Sequence, residues 1–218
     1  MTQNNQPVKP ILLEVKEITK VFGGTVALND VSLGFQKGEI HALCGENGAG
    51  KSTLGKIIGG VFQPDRGSIF YDGKKVVIRN PNHALDLGIS EMYQETYLIP
   101  DISIAENIFI KDKPTLKRTL FIDWKRMFAE AQEYINTLNI NIDVKKIMKT
   151  LSTAEVEMVS LARALRNKSK LILMDEPTAS LSYGEIEKLF KVMRQLQQQE
   201  VTIIFITHKL EEVITIAN

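Results

Sequence analysis

The stretch Gly45-Glu46-Asn47-Gly48-Ala49-Gly50-Lys51-Ser52-Thr53 constrains this chain more than any other. It fits G-x-x-x-x-G-K-[ST], a phosphate-binding loop, whose glycines let successive backbone N–H groups turn inward around phosphate oxygens. Such a loop works between a buried strand and a helix, and both are readable. Glu39-Ile40-His41-Ala42-Leu43-Cys44 reads as the strand, and Leu54, Ile57 and Ile58 follow at helical spacing. The helix would present its positive end to the same anion. Lys51 is expected to reach the β- and γ-phosphates of a nucleotide, and the Ser52 hydroxyl to sit on Mg²⁺.

Around this loop the chain alternates strand and helix signals. Residues 1–10 are polar, closed by Pro7 and Pro10, and read as a disordered lead-in. A β-rich preface follows: Leu12 to Ile18, a turn at Gly23-Gly24, then Val26-Ala27-Leu28 and Val31 to Phe35. Ser68 to Tyr71 and Lys75 to Ile78 flank Asp72-Gly73, a hairpin signal. Pro81 opens a short helix that ends at Gly88, and Ile89 to Tyr93 is a strand delivering Gln94. Residues 101–150 change character. Helical spacing in Ile104 to Ile108 and Trp124 to Leu138, linked by 111–118, predicts an inserted helical subdomain, with Leu151 to Leu165 as one more helix. The pattern then returns to strand at Leu171 to Met174, helix over about 183–199, and strand at Val201 to Ile206. Apolar strands joined by a helix imply an α/β fold with a parallel sheet.

The first strand of that unit ends in chemistry. Leu171-Ile172-Leu173-Met174-Asp175-Glu176-Pro177 sets four apolar residues before a carboxylate, the pattern in which Asp175 holds Mg²⁺ through its water shell. Glu176 could polarise an attacking water. His208 closes the next strand, and neighbouring parallel strands end at one sheet edge, so His208 is expected near Glu176. Gln94 also ends a strand, where its amide could touch Mg²⁺ or the water.

Charge narrows the partners. The 27 basic and 26 acidic residues nearly cancel, which leaves no electrostatic footprint for nucleic acid. The single cysteine, Cys44, fits a reducing compartment and is expected to be a small buried hydrophobe. No apolar run is long enough to span a bilayer, and the start lacks the basic and apolar regions of a signal peptide. A cytosolic chain, or one held at a membrane by a partner, is the expectation.

In the order of these motifs the chain resembles the ATP-binding subunit of ABC transporters, from about residue 11 onward. The resemblance implies a P-loop NTPase core of RecA-like type with an N-terminal antiparallel β part and an inserted helical subdomain over 101–165. It implies ATP and Mg²⁺ as cofactors. It places Phe22 as the aromatic residue that stacks on adenine, Gln94 at the Q-loop, Leu151-Ser152 at the opening of the signature motif, Ala179-Ser180-Leu181-Ser182 at the D-loop and His208 at the H-switch. On that basis Ser152 joins the loop residues 45–53 in nucleotide binding. Met92-Tyr93-Gln94-Glu95, Ile99 to Ile108 and Thr207 to Val213 look like the first cassette of tandem-cassette importers of simple sugars such as ribose, galactose or xylose. The implied partners are a second cassette with an intact signature, transmembrane permease subunits and, indirectly, a periplasmic or extracellular sugar-binding protein. The implied location is the cytoplasmic face of the cell membrane, through the permease.

Two departures from the family pattern stand out. The signature Leu-Ser-Gly-Gly-Gln reads Leu151-Ser152-Thr153-Ala154-Glu155, so side chains crowd a backbone approach to phosphate and Glu155 brings a negative charge toward an anion. The chain also stops at Asn218, just past His208, without the family's remaining strands or a second cassette. Two other readings therefore stay open: a truncated remnant that only binds nucleotide, and an ABC-type ATPase of nucleic-acid metabolism.

Overall fold

The computed structural model describes residues 9–92, 98–116 and 120–217. Expectations for most of the 1–10 lead-in, for Gln94 and for part of the 111–118 link therefore lie outside the described residues.

β1 (Ile11–Phe22) and β2 (Thr25–Gln36) form one long hairpin through Gly23 and Gly24, both at positive φ. The two apolar pieces read between residues 26 and 35 are one strand. Its interruption in the sequence is a set of register shifts around Ile18↔Val31 and Lys20↔Leu28, with Asp30 at φ 55°. After β3 (Ile40–Cys44) and the loop helix α1 (Lys51–Ile58), β4 (Arg66–Tyr71) pairs antiparallel with β1, and β5 (Lys74–Val76) closes that edge. The β4–β5 turn is Asp72-Gly73, at φ 49° and 73°, the two-residue turn whose twist matches the strands. The sheet order is β2-β1-β4-β5.

α2 (Pro81–Asp86), capped by the Asn80 side chain, leads to β6 (Ile89–Met92). α3 (Ile104–Ile108), α4 (Trp124–Thr137) and α5 (Thr153–Arg166) then pack on one another before β7 (Leu171–Asp175). α6 (Tyr183–Gln198), β8 (Thr202–Thr207) and α7 (Leu210–Ile216) finish the described chain. The second sheet is parallel throughout, in the order β3-β8-β7-β6. Among the described residues no helix is long and apolar enough to cross a membrane.

The parallel sheet separates two apolar cores, and strand alternation assigns residues to each. Ile172 and Met174 of β7 with Ile203 and Phe205 of β8 face the helices α3 to α6. Leu171, Leu173 and Ile204 face the other way, onto α1 and the antiparallel sheet. That is why β7 and β8 are unbroken apolar runs: both faces are buried. Cys44 departs from expectation. It is exposed, because it is the last residue of β3, and β3 is the outer strand of its sheet.

α5 carries a buried acid, Glu157, whose Oε2 has no hydrogen-bond partner among the described residues. Burial pushes its carboxyl from the ordinary 4.5 up to about 7. The folded chain therefore binds this proton more tightly than the unfolded chain. Stability should fall as pH rises from about 4.5 to about 7, and the loss should be complete above that. Urea unfolding of Glu157→Gln should show its advantage over the unaltered chain growing by up to about 3 kcal/mol between pH 5 and pH 8. A difference that does not change with pH would contradict the assignment.

Candidate functional site

The loop that leaves β3 is built for backbone donors. Gly48 and Gly50 both sit in the left-handed region, at φ 84° and 85°. Gly50 has a second constraint, since a Cβ there would lie 2.5 Å from the Ala27 carbonyl oxygen and 2.7 Å from Leu28 Cδ2. β2 thus lies directly under the turn, and only glycine fits above it. Lys51 folds back and donates to the carbonyls of Gly45, at 2.7 Å, and Glu46, at 2.9 Å. Among the described residues no side chain caps the N-terminus of α1 or of the short α7, whereas α2, α3, α4 and α5 are capped by Asn80, Ser103, Asp123 and Ser152. Free N–H groups at a helix start are the donors an anion uses. The cleft above them measures about 150 Å³ and is lined by Ala27, Asn47, Gly48, Gly50, Lys51, Ser52, Thr53 and Glu176. Gly45, Glu46 and Ala49 complete the loop, with Ala49 N–H donating to the Glu46 carbonyl at 3.2 Å.

β7 and β8 bring the acids. Ser52 Oγ donates to Asp175 Oδ1 at 3.2 Å, across 123 residues of sequence. A hydroxyl beside a carboxylate at this cleft suits Mg²⁺, which prefers one or two protein oxygens and fills its remaining positions with water and phosphate. No cluster of three or more metal-ligating His, Cys, Asp or Glu side chains exists among the described residues. Glu176 adopts φ 49°, a left-handed backbone that costs a non-glycine residue about 1 kcal/mol or more. Its N–H donates to the Ile206 carbonyl at 3.0 Å. Its Oε1 lies 2.9 Å from His208 Nδ1. The register of the sheet explains the meeting: Asp175 pairs with Ile206, so both strands end at one edge, where Glu176 and His208 leave them.

Two predicted residues stand apart. Phe22, at the end of β1, does not line the cleft above α1. It is 40 % exposed, held edge-on by Phe62 at 5.1 Å, with the Lys20 ammonium 5.3 Å from its ring centre. Ser152 lines a separate cavity of about 700 Å³, together with Ala154, Glu155 and residues of α6. Ser152 Oγ accepts from Glu155 N–H at 3.3 Å, and the Glu155 carboxylate accepts from Ser152 N–H at 2.8 Å. Sequence reasoning placed the Glu155 charge against a visiting anion. The structure adds what holds that carboxylate at the helix start, where it closes a capping box on α5.

Sequence reasoning missed a buried layer beneath the acids. Glu212 of α7 accepts from Thr178 Oγ1 and from Thr207 Oγ1, each at 2.9 Å, and its Oε1 lies 3.2 Å from Lys209 Nζ. The available signal was a glutamate four residues beyond His208, one helical turn into the segment after a strand.

Known proteins resemble this chain in sequence and in fold. The sequence model of the family described as ABC transporter matches residues 28–179. The galactose/methyl galactoside import ATP-binding protein MglA of Clostridium perfringens (strain SM101) is 43 % identical over 207 residues, which cover 95 % of this chain and 40 % of that protein. The ribose import ATP-binding protein RbsA of Geobacillus kaustophilus is 40 % identical, over 95 % of this chain and 42 % of its own length. The chain thus spans about two-fifths of these relatives. Among solved structures, the ADP conformation of MJ1267, an ATP-binding cassette of an ABC transporter, superposes with a TM-score of 0.84 at 26 % identity, over 96 % of this chain and 85 % of that one. A nucleotide-free ATP-binding cassette from an ABC transporter gives 0.84 at 25 % identity, over 95 % and 85 %.

Proposed function

The chain belongs to the ABC transporter family, and on that premise we propose that it is the ATP-binding and hydrolysing motor subunit of a bacterial monosaccharide importer, working as half of a cassette pair. The observation that carries this is the joint placement of an uncapped helix start, the Ser52–Asp175 pair and the Glu176–His208 pair around one cleft. The import role follows the names of the relatives.

In this reading the amides of Gly48 to Ser52 and the Lys51 ammonium hold the phosphates. Ser52 and Asp175 would hold Mg²⁺, which, when bound, neutralises charge on the phosphate oxygens. Glu176 polarises the attacking water and His208 orients the carboxylate. Phe22 stacks on adenine. Gln94, outside the described residues, keeps its role from the resemblance alone. Residues 11–218 form the nucleotide-binding domain and 101–165 its helical subdomain, which together with Gln94 would face a membrane permease at the cytoplasmic surface. A sugar-binding protein would act at one remove, and nucleic acid has no place in the scheme.

Thermal unfolding with Mg-ATP tests the binding half of the proposal. At 100 times Kd the ligand should add about 2.7 kcal/mol and raise Tm by roughly 5–10 °C. An unchanged Tm at millimolar Mg-ATP would overturn the reading. Turnover by the isolated chain should be weak or absent, because its own signature lacks the two glycines. Robust hydrolysis that disappears in Glu176→Gln would overturn the need for a second cassette.

A further inference from the structure

We infer that Glu212 is a positioning residue that sets the contact between Glu176 and His208 by pinning the two backbone segments that carry them. The inference rests on the reading of those two side chains as the hydrolytic pair.

The Glu176 side chain is 25 % exposed and that of His208 is 46 % exposed. An exposed pair of this kind exchanges readily with water and has little power to fix its own geometry. Beneath it lies a different environment. Thr178, two residues after Glu176, is 1 % exposed, Thr207, directly before His208, is 2 % exposed, and Glu212 is 6 % exposed. A single oxygen, Glu212 Oε2, accepts both threonine hydroxyls at 2.9 Å. Water cannot substitute for either arm without entering the core, and a buried acceptor holds its donors because the alternative is an unmet polar group. Lys209 balances the buried charge from 3.2 Å, donates its Nζ to the Thr178 carbonyl at 3.3 Å and its N–H to Thr207 Oγ1 at 3.1 Å. The Glu176 N–H to Ile206 carbonyl bond also ties these two segments. Each reactive side chain therefore departs from a backbone held within two residues of the Glu212 carboxylate. Without it, the contacts that join the loop after β7 to the end of β8 near the pair, among the described residues, are the sheet, the Glu176 N–H to Ile206 bond and those of Lys209.

The test reads geometry and does not depend on turnover. The imidazole ¹⁵N signals of the full chain are recorded, and His208, one of three histidines, is assigned by its loss in His208→Asn. In the otherwise unaltered chain, Glu176→Gln should move the His208 Nδ1 signal. In Glu212→Ala the same change should move it about threefold less, because coupling between the sites is lost. Glu212→Gln keeps an acceptor and should retain most of the response. Thr207→Val removes one arm without touching Glu212 and should reproduce the loss, which keeps the test decisive if Glu212→Ala fails to fold. A merely structural carboxylate would lower Tm in these variants while leaving the response of His208 to Glu176→Gln unchanged, and that result would overturn the inference. An unchanged Tm at millimolar Mg-ATP would count against the proposed function and not against the role of Glu212.

Discussion

Replacing Lys51 with alanine should weaken Mg-ATP binding by about two orders of magnitude and leave the Tm of the nucleotide-free chain within about 2 °C. Without ligand the Lys51 ammonium donates to two carbonyls of its own loop, those of Gly45 and Glu46. Both residues lie in the surface loop above β3, where water can replace the ammonium, so the fold loses little. The loop conformation itself is set by Gly48 and Gly50 and by the close approach of Ala27, none of which the substitution touches. With phosphate in the cleft the balance changes. The same ammonium would exchange neutral carbonyls for anionic oxygens, and hydrogen bonds to charged groups contribute about 1.5–3 kcal/mol each. A hundredfold loss corresponds to about 2.7 kcal/mol, which one or two such bonds account for. The uncapped α1 N-terminus remains in the variant and should preserve weak binding. Calorimetric titration of both chains at one fixed ionic strength measures the ratio. Binding within threefold of the unaltered chain would mean that the phosphates do not lie against Lys51.

How much of this was legible in the sequence depended on whether a residue acts through its neighbours in the chain or through distant ones. Asp72-Gly73 needs only its own positive φ pair to turn a hairpin, and it was readable. β7 and β8 were readable because burial on both faces demands an unbroken apolar run. The loop at 45–53 was readable because its glycines and Lys51 act on one another at short range. Even the Glu176–His208 meeting followed from strand ends alone, since parallel neighbours finish at a shared edge. Cys44 failed because exposure depends on strand order, and no local pattern reveals that β3 is outermost. Glu212 escaped for a related reason. Its partners Thr178 and Thr207 are recognisable only once β7, β8 and α7 are brought together, and α7 itself was not anticipated. The capping box at Ser152 and Glu155 was visible as a Ser-x-x-Glu pattern, but the family pattern at those positions drew attention to phosphate instead.

That last pair supports the second large prediction. In the Glu176→Gln background, the triple change Thr153→Gly, Ala154→Gly and Glu155→Gln should convert a chain that stays monomeric with Mg-ATP into one that self-associates as a dimer. The two helix starts explain why. The α1 N-terminus is open, without a side-chain cap, and can take an anion. The α5 N-terminus is closed: the Glu155 carboxylate accepts from Ser152 N–H at 2.8 Å, and the Ser152 hydroxyl accepts from Glu155 N–H. A second chain offering its γ-phosphate to α5 would meet a carboxylate already in the anion position, and like charges there repel. Glutamine at 155 can still cap the helix, but without the charge, and glycines at 153 and 154 allow backbone approach. The substitutions have a local cost, about 1–2 kcal/mol for two glycines in the first turn, so Tm of the nucleotide-free triple variant should fall by roughly 3–6 °C. Glu176→Gln is included to keep bound ATP from turning over during sedimentation. The double glycine variant that retains Glu155 separates crowding from charge. If it dimerises as well as the triple variant, Glu155 is not the barrier. If neither dimerises at saturating Mg-ATP, the α5 start does not serve as the second wall of a shared nucleotide site. If only the triple variant does, one carboxylate on its own helix is what makes this chain depend on a different cassette for its partner.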